Sequence, residues 1–180
     1  MSSFVSHELE HERCDVCDFD GAQFSDEQLL DALDGLGPRW VTLLESCGEF
    51  LRVRPSSEVW SALEYAAHSR DITALHVFGV NDALSGRETE FADIAADDMI
   101  AEAAARYNAE ELSDVVQALA REARLLASSA RDGGIENWQR AITIGAQRSS
   151  ARRLLEHGLH DSTHHLIDVE NGLHQIRTAS

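Results

Sequence analysis

Apolar residues recur every three or four positions through most of the chain, the spacing of helices that bury one stripe. The first such run is "SDEQLLDALDGLGPRWVTLLESC" (25–47). There Leu29, Leu33, Leu36, Trp40, Leu43, Leu44 and Cys47 share a face, and Ser25 and Gln28 have capping-box spacing. Its interior "GLGP" (35–38) predicts a break or kink, because Pro38 lacks an N–H and crowds the preceding turn. A second helix is expected from Ser56 or Ser57 to about Ser85, with Trp60, Leu63, Ala67, Leu75 and Phe78 on its apolar side and Gly86 as its stop. Residues 86–107 are acidic and weakly patterned, with a short helix expected in "DDMIAEAAARY" (97–107). A connection of that length can cross from one end of a bundle to the other. Asn108 and Glu111 suggest the capped start of a third helix, with Val115, Leu119, Leu125 and Leu126 inward and "RDGG" (131–134) as its end. Residues 138–150 read as a loop with an extended piece at "AITI". A fourth helix is expected from about Ser150 to about Ile176, with Leu155, Leu159, Leu166 and Leu173 as its core stripe and Val169 at the edge.

Residues 1–24 show no sustained period and read as an irregular arm. The expectation is an all-α, four-helix bundle over residues 25–180, with a long connection between helices two and three. Two prolines and eleven glycines in 180 residues leave room for long helices, and the chain is long enough to bury a core without disulfide staples. No apolar run is long enough for a membrane span, and the N-terminus lacks the pattern of a signal peptide, so a soluble cytoplasmic protein is expected.

Charge narrows the partners. With 32 acidic against 15 basic residues the formal net charge is −17, a field that repels phosphate backbones and anionic lipid, so neither nucleic acid nor a membrane is expected as a partner. Cations are attracted by the same field. Three cysteines cannot all pair within one chain. Cys47 reads as a small buried hydrophobe, whereas Cys14 and Cys17, spaced C-x-x-C, suggest metal or redox chemistry. With His7 and His11 they could form a closed four-ligand zinc knot; a reactive pair or an unligated arm are the other readings of the same residues.

The densest chemistry lies in "HGLHDSTHHLID" (157–168), which holds four of the nine histidines. On a helix His160 and His164 fall one turn apart on one stripe, beside the Leu155/Leu159/Leu166 face. His157 is one turn earlier, and His165 points about 100° away, toward a packed or surface position. Paired imidazoles at i,i+4 can grip one ion, although a wet polar face explains the spacing equally well. Helix two supplies a facing histidine, His68, with Glu64 one turn before it and Asp71 about one turn after.

Pro55, then Trp60 and Ser61, then Glu64 and His68, and finally His160 and His164 resemble the DinB-like metalloprotein superfamily, which is unrelated to the DNA polymerase of the same name. "LHDSTHHLIDVENG" further resembles the branch containing mycothiol-dependent S-transferases and the N-terminal domain of maleylpyruvate isomerases. The resemblance spans roughly residues 25–175 and does not extend to the Cys14–Cys17 arm. It implies a four-helix bundle that holds a divalent metal on His68, His160 and His164. No added domain follows, so a two-domain maleylpyruvate isomerase is not expected.

Three imidazoles would leave an open coordination position, the catalytic kind of site. Such an ion lowers the pKa of a bound water or thiol and creates a nucleophile at neutral pH. Glu64 could accept a proton or orient a ligand, and Asp161 and Asp168 could hold imidazole N–H groups. Zinc is the first expectation for the metal, with nickel, iron or manganese accepted by the same ligands. The expected function is activation of a low-molecular-weight thiol, mycothiol-like, for S-transfer to an electrophile or for isomerisation. A hydrolase with Glu64 as general base and a non-catalytic metal-binding stress-response protein are the alternatives. A homodimer is compatible with a bundle of this size, and no exposed stripe marks its interface.

Overall fold

A computed structural model describes residues 11–87, 90–91, 104, 106–145 and 147–179. His7 and most of the short helix expected over 97–107 lie outside the described residues. Four long helices carry the fold: α1 (Asp26–Cys47), α2 (Ala62–Leu84), α3 (Leu112–Gly133) and α4 (Ala151–Ala179). Short strands accompany them: β1 (Arg13–Cys14) pairs antiparallel with β2 (Phe19–Asp20), while β3 (Glu90–Phe91), β4 (Ala141–Ile144) and β5 (Gln147–Ser150) form a small mixed sheet. None of the helices is long and apolar enough to cross a membrane, among the described residues.

The expected all-α bundle is the observed architecture, with the strands as minor additions. α2 packs on α3 and α4, and α1 packs on the same two, so α1 and α2 sit diagonally and meet only marginally. Two apolar clusters fill the interior, one around Leu33, Leu36, Leu126 and Leu155, the other around Trp40, Leu63, Leu119 and Leu166. Between them the central turns of α2 and α4 bury polar side chains, including His68, Ser69, Thr73 and Ser162. Trp40 Nε1 donates to Ser162 Oγ at 2.8 Å across this layer.

Helix boundaries follow local chemistry, with several corrections. α1 starts on the expected box: Ser25 Oγ accepts from the Gln28 N–H at 3.2 Å, and the Ser25 N–H donates to Gln28 Oε1 at 2.8 Å. It does not break at Pro38, whose ring is exposed, because buried Leu33, Leu36, Trp40 and Leu44 hold both halves against the core. Gly37 is needed where α1 meets α3, since a Cβ there would lie 3.1 Å from Ala120 Cα. α2 starts at Ser61, later than expected, on a second capping box with Glu64, while residues 56–59 close a turn. Leu75 and Phe78 lie outside the core, 40% and 59% exposed; Phe78 instead meets the Phe91 ring. α3 is not capped by Asn108, whose amide bonds Arg52 O and Ser61 Oγ, and Leu125 faces outward. β4 and β5 pair antiparallel, with Gly145 (φ 57°) following β4, which adds a second strand to the one expected at "AITI" and seats Ile142 in the core.

The described part of the arm is folded onto α4. The Arg152 guanidinium donates from Nε to Glu156 Oε1 at 2.5 Å, from Nη2 to Phe24 O at 2.7 Å, and also bonds Asp26. Buried Glu156 in turn accepts from the Glu12 N–H at 2.9 Å and from His11 Nδ1 at 2.8 Å. Gly21 has no side chain because a Cβ there would fall inside the Glu156 carboxylate.

Candidate metal centre

α2 and α4 run antiparallel, and their register decides which histidines meet. His76 is fixed by its Nδ1–H on Ile72 O at 2.7 Å, and its Nε2 accepts from His157 Nδ1 at 2.8 Å. Burial pushes His76 down to about 4, so the ring is neutral, consistent with an accepting Nε2. Gly158 lets the helices approach here, since a Cβ would lie 3.2 Å from His76 Cγ. With His76 against His157, the antiparallel course brings His68 opposite His165, and their ring centroids lie 5.1 Å apart.

The ligating atoms of His68, Asp161 and His165 all lie within 4.8 Å of one another. His165 Nε2 is 3.6 Å from Asp161 Oδ1, and its Nδ1 donates to Asp168 Oδ2 at 2.9 Å, which fixes the ring with Nε2 toward Asp161. Burial lowers the pKa of His68, keeping the imidazole neutral and its lone pair available. Trp60 stands 5.2 Å from the His68 ring and Tyr65 5.0 Å from the His165 ring, an aromatic wall on one side of the group. Two imidazoles and one carboxylate on two rigid helices suit a divalent ion and leave coordination positions free.

The expected trio is therefore divided. His68 does not share a 4.8 Å group with His160 and His164; on α4 the facing residues are each one position later, Asp161 and His165. His160 and His164 turn toward the β1–β2 hairpin, where their ligating atoms lie within 4.8 Å of those of Cys14 and Cys17. The signal for the α2-facing pair was the D-x-x-x-H spacing of Asp161 and His165, identical in period to the H-x-x-x-H beside it. Of the two histidines weighed for a zinc knot with these cysteines, His11 has its Nδ1 bonded to Glu156 Oε1 at 2.8 Å, and His7 lies outside the described residues. His157 belongs to a third group with Glu12 and His160.

Glu64 has other work. It is 1% exposed, closes the α2 capping box by accepting from the Ser61 N–H at 2.8 Å, and pairs with Arg54 through both oxygens. Burial opposes its charge, but Arg54 and the Ser61 donors outweigh that and hold the carboxyl below its usual range. Asp168 takes the expected role of holding an imidazole N–H, while Asp161 stands among the ligating atoms.

The family model of the DinB superfamily matches residues 32–169, a stretch that takes in all of α2 and α4 as far as Val169. Comparison with curated proteins and with solved structures gives no match.

Proposed function

The chain belongs to the DinB superfamily, whose members are typically metal-binding, and from that premise we propose that it is a divalent-metal-dependent enzyme that activates a low-molecular-weight thiol for S-transfer or isomerisation. The observation that carries this reading is the three-donor group of His68, Asp161 and His165, one short of the four that close a structural zinc site. A divalent ion held there supplies the Lewis acidity that ionises a thiol at neutral pH. His68 and His165 present imidazole nitrogens, Asp161 an oxygen, and Asp168 holds the proton at His165 Nδ1. Trp60 and Tyr65 offer apolar surface beside the group and limit water on that side. Hydrolysis on the same residues is disfavoured, because Glu64, the base it would use, is engaged by Arg54 and Ser61.

The test combines zinc-loaded protein, a low-molecular-weight thiol and a small electrophile. The conjugation rate should exceed that of the His68→Ala variant, which should also carry one metal equivalent less. Equal rates in the two proteins overturn the reading, and equal turnover without thiol returns the choice to hydrolysis.

A further inference from the structure

The second group of donors belongs to a different kind of site. Cys14 and Cys17 flank the tip of the β1–β2 hairpin, whose tight return is made by Asp18 in the left-handed region (φ 57°). Both thiols are free and half-buried. Facing them, His160 and His164 sit one turn apart on α4, and the ligating atoms of the four side chains lie within 4.8 Å of one another. Cys14 Sγ is already 3.8 Å from His164 Nδ1.

The histidines are oriented for ligation by what holds their other nitrogens. His160 Nδ1 donates to Glu12 Oε1 at 3.1 Å, and its Nε2 is buried with no hydrogen-bond partner. An orphaned ring nitrogen in a protein interior costs free energy unless something there accepts its lone pair. His164 Nε2 lies 3.8 Å from Asp168 Oδ2, leaving Nδ1 toward the cysteine. A carboxylate behind each ring is the arrangement that fixes tautomer and direction in ligating histidines.

We infer that Cys14, Cys17, His160 and His164 form a closed, structural zinc site that fastens the N-terminal hairpin to α4. Two thiolates and two imidazoles make a complete tetrahedral set for zinc. Bonds of about 2.0–2.3 Å put such donors roughly 3.3–3.8 Å apart, so modest side-chain rotation closes the cage. The ion would add to the Glu156 contacts in holding a hairpin of two-residue strands, since an isolated pair this short is marginal in water. This site shares no ligand with the His68 group.

Cobalt substitution of the full chain tests the assignment. A thiolate-to-cobalt charge-transfer band with tetrahedral ligand-field intensity is expected in the wild type, retained in His68→Ala and lost in the Cys14→Ser/Cys17→Ser double variant. The double variant should also bind one zinc equivalent less than wild type. Absence of the band from wild type, or equal zinc in the double variant, overturns the inference. Should the double variant not fold, alkylation of wild-type protein followed by mass spectrometry decides it. Zinc should protect Cys14 and Cys17, with buried Cys47 as the internal control, and equal alkylation with and without zinc counts against the site.

Discussion

Asp168 is one carboxylate with two neighbours. Its Oδ2 accepts from His165 Nδ1 at 2.9 Å and lies 3.8 Å from His164 Nε2, so it stands behind one histidine of each candidate centre. Asp168→Asn keeps the size but removes the charge, and should weaken metal affinity about 10- to 100-fold, measured by competition with a chelator. An unchanged affinity would mean that Asp168 merely solvates the helix. At this scale the sequence announces the residue types but not their grouping. H-x-x-x-H and D-x-x-x-H overlap in "HDSTHH", and stepping one position rotates a helix face by about 100°. Which face meets α2 depends on the His76–His157 contact, a fact of tertiary register that no local spacing contains. Glu64 illustrates the same limit, since S-x-x-E at 61–64 signals a cap while E-x-x-x-H at 64–68 suggests a catalytic pair. Its bonds to Ser61 and Arg54 favour the cap.

Among elements, the arm is the clearest case of structure that periodicity misses. Its anchor is a polar knot rather than an apolar stripe, with Arg152 7% exposed and Glu156 fully buried beneath residues 11–24. Glu156→Ala removes the buried one of the two carboxylates that pair with the Arg152 guanidinium, leaving Asp26, and should cost about 3 kcal/mol in urea unfolding. Limited proteolysis should then cut first within the arm while the bundle persists, whereas wild-type protein resists at both places. The helices themselves were legible because their stripes are long. Their ends were not wherever a tertiary contact took the capping side chain, as with Asn108. Pro38 misleads for a related reason: the apolar residues on either side of it secure α1 through the core, which outweighs the missing hydrogen bond.

For the molecule as a whole, acid should act through its buried imidazoles, His68 and above all His76, before its carboxylates. His76 is near 4 in the fold against about 6.5 when unfolded, so the unfolded chain binds the extra proton. The stability from keeping it neutral is complete above about 6.5 and is lost as pH falls toward 4, by about 3 kcal/mol in all. Urea midpoints measured between pH 7 and pH 4.5 should fall in wild type and fall less steeply in His76→Phe, where His68 alone still contributes; parallel profiles would exclude His76 as a cause. Glu12 and Glu64, both held below the usual range, contribute stability that is lost only at lower pH.

Both clusters of donors draw half or more of their members from α4, and their other members lie far upstream, at positions 14, 17 and 68. A chain emerging from the ribosome therefore displays two naked thiols and a lone imidazole long before their counterparts are translated. Capture of an ion by either cluster would have to wait for α4 to dock, so the order of synthesis would make loading a late, post-translational event, and the interval before it is when Cys14 and Cys17 would stand open to oxidants.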